Sequence, residues 1–266
     1  MSQHAATYFE ANKDAWNKRA AVHKDTAFYD VDGFKAGKSA LNAIELEELG
    51  NVQGKSLLHL QCHFGMDTLS WAREGATVTG IDFSEEAIKL AKELAAEVQV
   101  PAEFICCNVY DVPAHVNQQF DIVFTSYGVV GWLPDLDKWA EVIAACLKPG
   151  GTFYMVEFHP VLWMMDDNFT SLMYPYHNAQ VIVETKTGTY ADKDAPIHYE
   201  EYSWNHSLSE VITALLKHGL KITLFHEFPY SCYNCFEHLQ QGADGYWRIH
   251  GKEVLPMMYS IKAIKE

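Results

Sequence analysis

Between residues 55 and 158, short runs of β-branched and other apolar residues alternate with amphipathic helical segments, and this rhythm limits the available folds. "KSLLHLQ" (55–61) is a compact apolar run, and "MDTLSWARE" (66–74) spaces Leu69 and Ala72 for one helix face. "ATVTGID" (76–82) reads as a strand. "SEEAIKLAKELAAEV" (84–98) then lines Ala87, Ile88, Ala91, Leu94, Ala95 and Val98 along one stripe. Ser84 stands at the N-cap of that helix, with Glu85 and Glu86 favourable in its first turn. "AEFICCNV" and "FDIVFTS" are further strands. "DLDKWAEVIAACL" is a helix that ends at "LKPGG", and "TFYMVEF" (152–158) follows as a strand. Strands alternating with helices specify parallel βαβ units with right-handed crossovers, hence a doubly wound α/β sheet. Ligands of such sheets bind at the carboxyl ends of the strands.

Two regions break the rhythm. Residues 1–50 are predicted to hold one or two helices and an aromatic connection, "FYDVDGF". Residues 160–206 exceed an ordinary connection of roughly two to six residues. They contain two strand-like runs, "VIVETKTGTY" and "IHYEEYSW", and the Met- and aromatic-rich "WMMDDNFTSLMYPY". Structured insertions of this kind are often lids. "SLSE" at 207–210 has the spacing of a capping box, Gly219 ends the helix behind it, and "LKITLFHEF" and "MMYSIKAIK" are the last strands. The expected organisation is a helical cover (1–50), an α/β core (51–159), an inserted substrate cap (160–206) and the last helix and strands of the core (207–266).

The net charge of −15 opposes a role centred on nucleic-acid backbones or membrane surfaces, because phosphate binding needs a surplus of Lys and Arg. A small molecule is the better partner. The first residues, "MSQHAATYFEANKDAW", have no basic flank or apolar stretch of a secretory signal, and no run approaches the roughly 18–20 apolar residues of a membrane span. The expectation is a cytoplasmic protein; the sequence leaves its oligomeric state open.

A strand, a turn, a helix and a second strand ending in an acid form a nucleotide-ribose signature, and here the acid is Asp82, seventeen residues beyond Gly65. A carboxylate there can accept both ribose hydroxyls. A purely structural N-cap role for Asp82 is less economical, since Ser84 fits it. His59, Cys62 and His63 in "HLQCHFG" suggest a metal at first sight. The two histidines would share a face only on a helix, the pattern here is strand then turn, and no fourth ligand is near, so no metal is expected. Cys232 and Cys235 in "SCYNCF" are a single C-x-x-C pair, a weak signal without a second pair.

Five segments in order resemble the motifs of class I, Rossmann-like S-adenosylmethionine-dependent methyltransferases: "LLHLQCHFG", "VTGIDFS", "FICCNVYDVP", "FDIVFTSYGVVGWLPD" and "LKPGGTFYMVEF". The resemblance covers roughly residues 55–158. It implies a seven-stranded sheet, mostly parallel with an antiparallel last strand. S-adenosylmethionine is the implied cofactor, and methyl transfer to a small-molecule O, N or S nucleophile the implied activity. The motif departs at the first loop, where His59 replaces the usual strand-one acid and Gln61 and His63 replace two glycines. A pyrophosphate-binding oxidoreductase would suffer most from that change, because its loop amides must approach phosphate closely. His59 cannot serve the cofactor's ammonium as a carboxylate would, and Asp67 is the candidate substitute. A non-catalytic cofactor-binding protein stays open as an alternative, with a nicotinamide-dependent oxidoreductase behind it.

The resemblance assigns the cofactor to the loop residues Gln61, Cys62, His63 and Gly65, and to Asp82, Phe83 and Ser84 after the second strand. Asn108 and Val109 would meet the adenine, Ser126 the methionine portion, and Trp16 would fold over the top. Catalytic candidates are Tyr127, His159 and His206, at the expected mouth of the sheet. Methyl transfer asks mainly for alignment and exclusion of water, with a general base where the nucleophile carries a proton. Aromatic faces such as Tyr127 and Trp132 suit a sulfonium. Trp163, Asp166, Tyr190 and Glu200 in the insertion point to a partly apolar, cationic ligand.

Overall fold

A computed structural model describes residues 3–166, 168–177 and 180–266, with side chains described from residue 7 onward. Asp167 of the aromatic-rich insertion lies outside the described residues.

Helices α1 (Gln3–His23), α2 (Val31–Lys35) and α3 (Ala43–Leu49) precede the sheet, one more than the sequence suggests. The third is short, but it carries a capping box from Asn42 to Glu45. The alternating core follows as β1 (Ser56–Leu60), α4 (Met66–Arg73), β2 (Thr77–Asp82), α5 (Glu85–Glu97) and β3 (Glu103–Cys106). It continues through α6 (Val112–His115), β4 (Phe120–Ser126), α7 (Leu136–Cys146) and β5 (Leu147–Phe158). The insertion contributes the antiparallel pair β6 (Ile182–Thr187) and β7 (His198–Ser203). Helix α8 (Leu208–Lys217), strand β8 (Leu220–Phe228), the small hairpin β9 (Leu239–Gln241) and β10 (Trp247–Ile249), and β11 (Met258–Lys265) complete the chain.

The seven-stranded sheet has the order β3-β2-β1-β4-β5-β11-β8. The first five pair in parallel, and β11 is antiparallel to both neighbours. Pleating explains why such strands read as continuous apolar runs, since both faces are covered. Leu58, Leu60, Val123, Phe153 and Met155 enter the core beneath α7 and α8. Their alternates Leu57, Ile122, Phe124, Tyr154 and Val156 pack on the other side with Trp71 and α3.

Strand β5 starts five residues earlier than expected. Leu147 pairs with Phe120, then the register shifts before Ile122 meets Thr152. "LKPGG" is therefore an irregular strand entry, with Gly150 at φ 74. Residues 229–257 are a second departure: they form the β9–β10 hairpin and loops beside the sheet's carboxyl edge, where the sequence shows no regular period. The direction of winding reverses between β1 and β4, which opens a crevice at their carboxyl ends.

Candidate functional site

A cavity of about 900 Å³ lies over that crevice. Its floor begins with the loop after β1. Gln61, His63 and Gly65 all hold left-handed backbone, at φ 57, 52 and 81. Side-chain-bearing residues pay about 1–2 kcal/mol for that conformation, so the surroundings must enforce it. Cys62 N–H bonds Ile81 O at 2.8 Å, His63 N–H bonds Asp82 Oδ2 at 2.8 Å, and Gln61 Nε2 donates to Val129 O at 3.1 Å. Only at Gly65 is a side chain barred outright, since a Cβ would stand 2.7 Å from the Phe104 ring.

The two histidines part company. His59 is buried, shares a 2.8 Å hydrogen bond between Nδ1 and Thr68 Oγ1, and is held neutral by burial, its pKa lowered to about 3. His63 turns upward into an aromatic cluster with Trp16, Tyr29 and Phe64. Among the described residues no group of three His, Cys, Asp or Glu side chains is placed to hold a metal ion.

Asp82 ends β2 at the cavity wall. Its two oxygens each accept one backbone N–H, from His63 and Ser84, which fixes the carboxyl plane and leaves lone pairs for a ligand. Burial pushes its pKa up to about 6. Phe83, Asn108 and Val109 also line the cavity, and Asn108 Oδ1 accepts from Tyr110 N–H at 3.1 Å. Ser84 is the exception among the expected cofactor residues. Its hydroxyl accepts from Ala87 N–H as the N-cap of α5 and donates to Asn17, and it does not reach the cavity wall.

Asp67 stands in the first turn of α4. It lines the cavity, takes a 3.0 Å hydrogen bond from Ser126 Oγ, and burial lifts its pKa to about 6. Beyond β4, Tyr127 Oη donates to Glu45 Oε2 at 2.8 Å. Asn42 Nδ2 bonds both the Tyr127 and Tyr233 hydroxyls, at 3.3 and 2.9 Å. Glu45 is 0% exposed, and burial raises its pKa to about 7. Glu157, at the end of β5, gathers the backbone N–H groups of Gly128, Val129 and Val130 and so shapes the loop after β4.

His159 and His206 stand apart from this site. His159 Nδ1 accepts from Val161 N–H, Nε2 donates to Glu227, and the ring is outside the cavity wall. His206 Nε2 donates to Leu133 O at 2.6 Å and is likewise outside it. Both sit at junctions where a ring nitrogen fastens backbone, so neither is a candidate base. Trp16 is where the sequence places it, over the cavity, edge-on to His63 and Trp132. Beside it Arg19 spans the Trp16, Trp132 and Tyr199 rings and pairs with Glu201 of β7. The residues that sequence reasoning missed, Glu45, Asn42, Arg19 and Glu157, come from the cover helices and from a strand end; the capping-box spacing from Asn42 to Glu45 was the one visible signal.

Residues 58–155 match the methyltransferase domain family. The ubiquinone biosynthesis O-methyltransferase of Klebsiella pneumoniae strain 342 is 31% identical over 144 residues, 52% of this chain and 59% of that protein. The Salmonella typhimurium enzyme of the same name is 32% identical over 131 residues, covering 48% and 54%. The chain thus spans under three fifths of the length of these curated relatives. A putative S-adenosylmethionine-dependent methyltransferase from Listeria monocytogenes shares the fold at TM-score 0.56 and 22% identity, over 84% of this chain and 98% of its own. A methyltransferase from Methanosarcina mazei does so at 0.57 and 20%, over 85% and 98%. Within the α/β core, residues 58–155 are thus similar to a methyltransferase domain, and the sheet shares its Rossmann-like fold with these solved structures.

Proposed function

We propose that the protein transfers a methyl group from S-adenosylmethionine to a small-molecule acceptor whose nucleophile is a hydroxyl. One observation carries the reading: a single cavity is lined by Asp82 and Asp67, beside the carboxyl ends of β2 and β1, and by Tyr127 beyond β4, whose hydroxyl bonds buried Glu45 behind it. The site suits the cofactor on its own chemistry. Asp82 faces the cavity with lone pairs free for ribose hydroxyls, Asp67 matches an ammonium, and the buried Gln61 Oε1 has no partner among the described residues. The bound cofactor supplies an electrophilic methyl on a sulfonium. The protein's own groups align the acceptor, exclude water under α1 and the insertion, and receive the proton. As the acceptor oxygen gains its methyl, its proton passes to Tyr127 Oη while the Tyr127 proton passes to Glu45. The six cysteines are unbridged, in keeping with a reducing compartment such as the cytoplasm.

Calorimetric titration with S-adenosylmethionine, S-adenosylhomocysteine and NADH tests the cofactor, and binding of NADH alone would refute the reading. A labelled-methyl screen over phenols, alcohols, amines and thiols then tests the acceptor, and binding without turnover across the screen would favour a non-catalytic role. We expect Glu45→Gln to keep S-adenosylhomocysteine affinity within about twofold while lowering kcat by about 10²–10⁴-fold, the range of general base catalysis. Products only from thiols would sink the hydroxyl assignment.

A further inference from the structure

Asn205 lies between β7 and α8, 1% exposed, and lines the cavity. Both Oδ1 and Nδ2 are buried and have no hydrogen-bond partner among the described residues. An unpaired buried carboxamide is costly, so its retention calls for a partner from outside the chain.

Its neighbours fix its place over the cavity. On one side Trp204 N–H bonds Gly131 O at 2.8 Å, and on the other His206 Nε2 bonds Leu133 O at 2.6 Å. Asn205 is thereby clamped over the segment that follows β4. That segment is fastened in turn to the β3 side, because Tyr110 Oη donates to Asp135 O at 3.1 Å and accepts from Asp135 N–H at 3.0 Å. Phe9 of α1 packs on the Tyr110 ring at 5.8 Å and closes the same end of the cavity. Asn108 and Val109 immediately precede Tyr110, so this is the adenine end of the proposed cofactor site.

We propose that Asn205 reads the adenine ring by a two-point hydrogen bond, with Oδ1 accepting from the exocyclic N6 amino group and Nδ2 donating to ring N7. This assignment rests on the methyltransferase reading above. A carboxamide and the N6/N7 edge of adenine have matching donor and acceptor spacing. The opposite edge, N6 and N1, falls to Asn108 and the Val109 amide, so the purine is addressed from both sides. The ribose and methionine ends, faced by Asp82 and Asp67, call for carboxylates and not for a neutral amide. The arrangement also explains why a residue outside the matched domain (58–155) is buried with nothing to bind: its partner arrives with the cofactor.

The test uses S-adenosylhomocysteine and its 7-deaza analogue, in which ring N7 is replaced by C–H, titrated into the wild type, Asn205→Ala and Asn205→Leu. The wild type should prefer the natural ligand about tenfold, the size of one lost hydrogen bond in a buried site, and Asn205→Ala, which loses both bonds, should bind it about 100-fold more weakly. Both variants should bind the two ligands equally. Because the Asn205 carboxamide makes no hydrogen bond among the described residues, the thermal midpoints of the unliganded variants should equal or exceed that of the wild type. Wild-type affinity in Asn205→Ala, or an undiminished N7 preference in both variants, would overturn the proposal. Lowered midpoints in both variants would overturn it too, by showing a structural role. A wild type that binds neither ligand would instead remove the cofactor assignment on which the inference stands.

Discussion

At the scale of single residues, the chemistry depends on carboxyl groups whose surroundings, not identities, set their behaviour. Asp67 and Asp82 are both raised to about 6 by burial, so each is part-protonated in mildly acidic solution. A ligand ammonium needs Asp67 ionised, so binding is complete above its raised pKa and is lost as the pH falls through it. We expect S-adenosylhomocysteine affinity to be flat above about pH 7 and to fall about tenfold per pH unit below about pH 6 as Asp67 protonates. Asp67→Asn should bind more weakly at pH 7.5 and show a shallower acid limb; an unchanged slope would detach Asp67 from the ammonium. The placement of Asp82 on the cavity wall could be read in the sequence because it follows from position at the end of the second strand. Asp67 was legible only as a replacement for the missing acid, and the Ser126 bond that holds it comes from β4, 59 residues away. Ser84 misled, because its N-cap role turns the hydroxyl away from the cavity.

At the scale of elements, the loop after β1 shows how much glycine the fold needs. Gln61 and His63 keep left-handed backbone because neighbouring strands and Asp82 hold their amides and side chains. Gly65 combines φ 81 with a Cβ position 2.7 Å from the Phe104 ring. Gly65→Ala should therefore cost about 2–4 kcal/mol, from left-handed strain together with overpacking, seen as a lower urea midpoint with an unchanged m-value. A cost under 1 kcal/mol would mean that Phe104 yields freely. Regular elements were the legible part. α5 buries Ala87, Ile88, Ala91, Leu94 and Ala95 of the stripe predicted for it and ends before Val98, and α8 has the capping box written in "SLSE". The third cover helix, the early start of β5 and the β9–β10 hairpin escaped notice, because short or irregular elements have too few residues to display a period.

At the scale of the molecule, the cover is tied to the β6–β7 pair of the insertion by long-range polar contacts. Arg19 of α1 pairs with Glu201 of β7 within a frame of three aromatic rings, and Asn12 exchanges hydrogen bonds with the backbone of Tyr202. Glu201→Ala leaves a buried guanidinium with the aromatic rings and the Tyr199 hydroxyl but without its carboxylate, and breaking such a pair costs about 3–5 kcal/mol. We expect that loss in chemical denaturation, together with weaker S-adenosylhomocysteine binding as α1 loosens over the site; stability within 1 kcal/mol of the wild type would contradict the anchoring role. The sequence by itself determined the doubly wound sheet, the crevice at its carboxyl edge and the acid at the end of β2, because period, strand order and local turns are written in neighbouring residues. Tertiary structure alone decided which groups share the cavity. Glu45 meets Tyr127 across 82 positions and Arg19 meets Glu201 across 182, while His159 and His206 are drawn off to fasten backbone elsewhere. Such meetings depend on how the cover and insertion pack over the sheet, and no local pattern encodes them.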